Sequence, residues 1–135
     1  MKQKLFTLLL AIVASIGTLY AQQIQIGAFY YALNSETLTA SVICKSYDNV
    51  RLVYNWDYDL QIANIPSSIT YKFEWDSAPI TYRVTSIDSN AFRSCKNLHT
   101  VFIPASVTHI GNSAFAGCSQ LRNINIPETV STIRE

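Results

Sequence analysis

The sequence predicts a β-rich solenoid of 23-residue repeats with an antiparallel β cap at its N-terminal end. Three observations carry that expectation. The second half matches itself at a single offset of 23 residues. Within each copy, apolar and polar residues alternate toward a proline, as they do along a half-buried strand that stops there. The 60 residues upstream, 24–83, read as two hairpins and hold 11 of the 16 aromatic side chains.

Taken in chain order, the first element is an address. Met1-Lys-Gln-Lys4 is a basic head, Leu5 to Ile16 is almost wholly apolar, and Ala21 is a small residue before Gln22-Gln23. This is the layout of a secretory signal, with cleavage expected after Ala21. A membrane span needs about 20 apolar residues, and Thr7, Ser15, Gly17 and Thr18 interrupt this run. Residues 1–21 are therefore assigned to a signal peptide, and no span is expected once they are removed.

The composition then limits the function classes. Ten Lys+Arg stand against nine Asp+Glu, and loss of Lys2 and Lys4 leaves a net charge near −1. A nucleic-acid surface needs clustered basic residues, which are lacking here. Three cysteines cannot complete a disulfide framework.

Residues 22–83 are expected to form the cap. Phe29–Leu33 and Leu38–Cys44 flank Asn34–Thr37, and Tyr71–Trp75 and Ile80–Val84 flank Asp76–Pro79. Both patterns fit β-hairpins. A short cap needs the large burial that aromatics supply, on the order of 2–3 kcal/mol each.

Residues 84–135 carry the repeats, 84–106, 107–129 and a partial copy, 130–135. Nine of 23 aligned positions are identical: Val84/Val107, Thr85/Thr108, Ile87/Ile110, Ala91/Ala114, Phe92/Phe115, Cys95/Cys118, Leu98/Leu121, Ile103/Ile126 and Pro104/Pro127. Leu98-x-x-Val101-x-Ile103 and its copy are the strands. Ala91-Phe92 and Ala114-Phe115 suit a short helical turn. One unit leaves an apolar edge that only a neighbouring copy covers. The variable positions Lys96/Ser119, His99/Arg122, Thr100/Asn123 and Phe102/Asn125 should then face solvent.

These motifs resemble the BspA-type leucine-rich repeats of bacterial surface proteins, over residues 84–135. Upstream, Ile65-Pro-Ser-Ser-Ile69 echoes Ile103-Pro-Ala-Ser-Val107, and Asp88 departs from the pattern where the second copy has Gly111. The resemblance implies a right-handed leucine-rich-repeat solenoid, secretion or display at the bacterial cell surface, and adhesion as the family's best-known role.

Few residues suggest chemistry. Cys95 and Cys118 share one repeat position and are expected as stacked buried thiols whose side chains run parallel; Cys44 is expected as another buried strand thiol. His99 and His109 fall at different repeat positions, which supports neither zinc nor a catalytic triad. No catalytic residue, metal or cofactor is assigned, and the chain is expected not to be an enzyme. Trp56, Asp57, Tyr58 and Asp59 could stack on a sugar or contribute to a calcium site, against the plainer reading of a surface turn packed on the cap. The stronger interaction face is Thr100, Phe102, Asn123 and Asn125, on the exposed side of the repeat strands, although Phe102 could instead pack on Tyr82 or Phe73. The function expected is a non-enzymatic exported module that binds a host or matrix protein or a glycan. The alternative is an architectural spacer that carries a further C-terminal domain. The sequence ends six residues into the third copy, so a fragment of a longer protein is expected. Taken alone, residues 22–135 should be marginally stable or self-associate, with Ile126 and Ile133 uncovered.

Overall fold

The computed structural model describes residues 22–44 and 60–134. The signal-like residues 1–21 lie outside this range, as do Trp56, Asp57, Tyr58 and Asp59.

The chain opens with three antiparallel strands, β1 (Gln22–Ile26), β2 (Phe29–Asn34) and β3 (Thr39–Ile43). A two-residue turn at Gly27-Ala28 joins the first pair, and Gly27 takes a φ of 59° that favours glycine. Asn34 organises the next turn: its Oδ1 accepts the N–H groups of Glu36 and Thr37, both at 3.0 Å. Along β2 the burial alternates, with Phe29, Tyr31 and Leu33 inward. The first expected hairpin is present, preceded by a strand that the hairpin pattern did not include.

β4 (Ile62–Asn64) is followed by β5 (Ser68–Tyr71) and β6 (Ile80–Ile87). β5 and β6 form the second hairpin, but its register joins Tyr71 to Ile80, so Phe73 to Trp75 leave the strand. The reason is Phe73, whose ring is buried while Trp75 stacks on it at 4.9 Å and 4°. A turn from Phe73 to Asp76, with Asp76 N–H donating to the Phe73 carbonyl at 3.1 Å, replaces the expected extension.

The N-terminal segment is also mixed rather than wholly antiparallel. β3 runs parallel to β6, with a bulge between Ala40 and Ser41 that leaves Thr85 unmatched. β4 pairs in parallel with β7 (Thr100–Phe102), the first repeat strand. Leu60-x-x-Ala63-x-Ile65-Pro66 has the spacing of Leu98-x-x-Val101-x-Ile103-Pro104, so it satisfies the same ladder.

The remaining strands are β8 (His109–Ile110), β9 (Asn123–Asn125) and β10 (Thr132–Ile133). One sheet runs β1-β2-β3-β6-β8-β10, with β5 also on β6; the other runs β4-β7-β9. The 23-residue period sets the parallel register: Ile87 pairs with Ile110, and Ile110 with Ile133. A third column of backbone bonds joins the intervening turns, Asn90 N–H to Asn112 O (2.9 Å), Phe92 N–H to Ala114 O and Ser94 N–H to Ala116 O (both 2.7 Å).

No helix occurs among the described residues, and none is long and apolar enough to cross a membrane. The helical turn expected at Ala91-Phe92 and Ala114-Phe115 is instead a run of tight turns. Asn90, Ser94, Ser113 and Gly117 take φ values of 58°, 63°, 54° and 76°, and such left-handed residues break helical continuity every few positions.

Between the sheets lies one core, with Tyr31, Tyr82, Phe92, Ile87, Leu98 and Val101 among its fully buried members. Burial falls away at the last strands. Leu98, Val101 and Ile103 are at most 2% exposed, whereas Ile124, Ile126 and Ile133 are 38%, 49% and 60% exposed. A repeat position is therefore covered by the strand that follows it.

Burial also makes this core sensitive to alkali. It pushes the Tyr31 phenol up to about 12 and raises Tyr82, which feels Asp76 as a lesser cause. An unfolded tyrosine loses its proton near 10, so between about pH 10 and 12 the unfolded chain alone ionises and stability falls as pH rises. For Tyr31 the loss should reach about 2–3 kcal/mol above the upper limit. Urea midpoints at neutral and alkaline pH measure it, and Tyr31→Phe should flatten the decline.

Candidate functional site

The three-stranded sheet carries a shallow groove on its outer side. Alternation turns every second residue of each strand outward. By register, Ile62, Thr100 and Asn123 form one outward row, and Asn64, Phe102 and Asn125 the next. The alternate row is Ala63, Val101 and Ile124; Ala63 and Val101 belong to the core, whereas Ile124, on the last strand, is 38% exposed. A shallow groove of about 620 Å³ crosses the outward rows, lined by Ile62, Thr100, Phe102, Arg122, Asn123 and Asn125 among others. The structure thus brings together the four residues singled out from the repeat pattern, Thr100, Phe102, Asn123 and Asn125.

Three members are apolar and open to solvent, Ile62 at 53%, Phe102 at 51% and Ile124 at 38%. Phe102 lies on the sheet opposite to Tyr82, and both Tyr82 and Phe73 are buried. Thr100 is half-buried, and Arg122 is the groove's one charged side chain among the described residues. The polar members have different roles. The Asn125 side chain is committed to the neighbouring strand, with Oδ1 accepting the Ile103 N–H at 2.9 Å and Nδ2 donating to the Ile103 carbonyl at 3.1 Å. One strand earlier, Ile65 N–H donates to the backbone carbonyl of Phe102 at 3.1 Å. The Asn125 amide takes over that duty at the next junction, so Asn125 is first a structural clamp. The sequence pattern places Arg122 outward without singling it out for the face, and it does not single out Ile62. Ile62 was legible three residues before Ile65, in the echo of Ile103-Pro104.

Elsewhere, Cys44, Cys95 and Cys118 are free thiols. Cys95 is buried, but Cys44 and Cys118 are only half-buried. The side chains of Cys95 and Cys118 touch, which parallel stacking did not anticipate. Cys95 donates a hydrogen bond to Cys118, and that bond together with burial holds the Cys95 proton well above the usual thiol range. The same bond draws Cys118 down against its own burial. Cys118 Sγ in turn lies 3.0 Å from the Phe92 carbonyl. Burial raises the Cys44 thiol as well. His109 Nδ1 lies 2.7 Å from Thr108 Oγ1. Among the described residues, no three His, Cys, Asp or Glu side chains converge as a metal site would require.

The model of the BspA-type leucine-rich repeat region matches residues 22–135 with six copies. No curated protein matches the chain. Among solved structures, a leucine-rich repeat protein from Bacteroides ovatus is similar at 31% identity and a TM-score of 0.60, over 79% of this chain and 24% of that one. A leucine-rich repeat protein from Bacteroides capillosus is similar at 27% identity and a TM-score of 0.56, over 76% of this chain and 64% of that one. A leucine rich cell surface protein from Faecalibacterium prausnitzii shares the fold at 23% identity and a TM-score of 0.55, over 82% of this chain and 25% of that one. The chain thus spans less than two thirds of the length of each of these relatives. The match of 22–135 reaches upstream of the two copies evident from self-comparison and takes in β4, whose ladder is that of the repeat strands. The chain belongs to the BspA-type leucine-rich repeat family.

Proposed function

We propose that the chain is an exported, non-enzymatic binding module whose β4–β7–β9 face docks an extended host or matrix protein, or a glycan, in adhesion at the bacterial surface. The carrying observation is the outward pair Ile62 and Phe102, both more than half exposed on one groove. Exposed apolar residues gathered on a concave surface mark interaction sites more often than scattered ones do. Parallel strands with a constant 23-residue register support the solenoid reading, in which such a face lengthens with each repeat. The basic head and apolar run of residues 1–21 support export.

The test compares three variants for binding to immobilised matrix proteins and a glycan array. Phe102→Ala should weaken binding about tenfold, equivalent to about 1.4 kcal/mol. Asn123→Ala should weaken it less. Asn125→Ala should instead lower stability by about 1–2 kcal/mol, because it leaves the Ile103 backbone groups without their partner. Unchanged binding by Phe102→Ala would reject the docking face and favour an architectural spacer.

A further inference from the structure

A second groove lies on the other sheet, away from the docking face. It occupies about 520 Å³ between Leu38, the start of β5, the outward side of β6 and the turn after β7. Its polar lining is Ser67, Ser68, Thr81, Arg83 and Ser106. Ser68 and Arg83 are paired across β5 and β6, so a hydroxyl and a guanidinium stand side by side. Thr81 is held by Thr70, with their hydroxyls 3.1 Å apart. Among the described residues, no carboxylate lines the groove.

Ser106 is the informative member. It is 7% exposed, and its Oγ is buried with no hydrogen-bond partner among the described residues. A buried hydroxyl left unsatisfied costs about 1–3 kcal/mol. Its counterpart one repeat later, Thr129, donates to the Val107 carbonyl at 3.0 Å. The unpartnered hydroxyl is thus particular to the copy that borders this groove. Leu38 adds a second irregularity: it holds a φ of 53° and is 46% exposed at the rim. A non-glycine residue in this region is strained, and such strain clusters at functional sites.

We propose that this groove binds a carboxylated sugar, such as a uronic acid residue of an acidic polysaccharide. A guanidinium matches a planar carboxylate by paired hydrogen bonds. Serine and threonine hydroxyls both donate and accept, which suits a ligand rich in hydroxyls rather than an aliphatic chain. The volume lies within the range of small-molecule sites. Leu38 offers an apolar rim to the C–H face of the ring. The site is independent of the β4–β7–β9 face.

The experiment is an NMR titration of the full chain with glucuronate, glucose, acetate and an acetylated dipeptide with a free carboxyl end. Glucuronate should shift the amides of Ser67, Ser68 and Arg83 saturably, and the other three should bind at least about tenfold more weakly. Arg83→Gln should weaken glucuronate binding about tenfold. Ser106→Ala should weaken it while leaving the urea midpoint unchanged or raised, because no bond is lost from the folded chain. Phe102→Ala should leave it unchanged, which separates this site from the docking face. Equal binding of acetate or the dipeptide, absence of saturable shifts, or a lowered midpoint for Ser106→Ala would each overturn the proposal.

Discussion

Gly111→Ala should destabilise the protein by about 3 kcal/mol, the upper part of the range for forcing atoms into a closed site. A Cβ on Gly111 would stand 2.4 Å from Ser89 N, 2.7 Å from the Asp88 carbonyl carbon and 2.9 Å from Ser89 Cα. All three are backbone atoms, so no side chain can swing away. The backbone cannot retreat cheaply either, because Gly111 N–H donates to the Ile87 carbonyl at 2.8 Å at the end of the β6–β8 ladder. The aligned residue in the first copy is Asp88, whose N–H meets the Val42 carbonyl of β3 at 2.8 Å. Asp88 therefore faces a strand of the hairpin sheet and Gly111 a turn of the preceding repeat. This explains the departure from the repeat pattern at that position. Urea denaturation measures the effect. Asp88→Gly is the contrasting variant and should lose much less, and equal losses at the two positions would refute the close-approach account.

The same contrast shows how much of the fold was legible. Ile87, Ile110 and Ile133 repeat in the sequence and pair in the structure, because one core position per coil must meet its neighbour. The outward set Thr100, Phe102, Asn123 and Asn125 was legible for the complementary reason, since positions free to vary between copies are those the core does not constrain. The β4 strand was harder to see. It lies 38 residues before its counterpart rather than 23, because the chain detours through the β5–β6 hairpin. The left-handed turn positions were concealed by composition, as Asn90, Ser94 and Ser113 fill places where glycine would have announced the turn. The Asn125 clamp and the Ser106 hydroxyl were beyond reach, since both depend on which backbone groups the neighbouring strand leaves unpaired.

Phe92→Ala should lower stability by about 3–5 kcal/mol, as expected for a fully buried aromatic ring. Its importance comes from its place. The ring is 0% exposed and lies edge-on to Phe29 of β2 at 6.2 Å and 78°. It also stacks on Phe115 of the next repeat at 5.2 Å and 5°. Phe92 thus joins the N-terminal hairpin sheet to two successive repeats, and its loss opens a cavity shared by all three. Typical domains are stable by about 5–15 kcal/mol, so the variant should keep a folded state with much of its margin gone. Phe115→Ala should cost less, because that ring is only half-buried. Hydrogen exchange discriminates between a shared core and two independent ones. With a shared core, Phe92→Ala should speed exchange of the β2 and β3 amides together with those of β6 and β7. If the β2 and β3 amides kept their protection while the repeats lost theirs, the hairpin sheet would be a separate folding unit and the single core described here would be wrong.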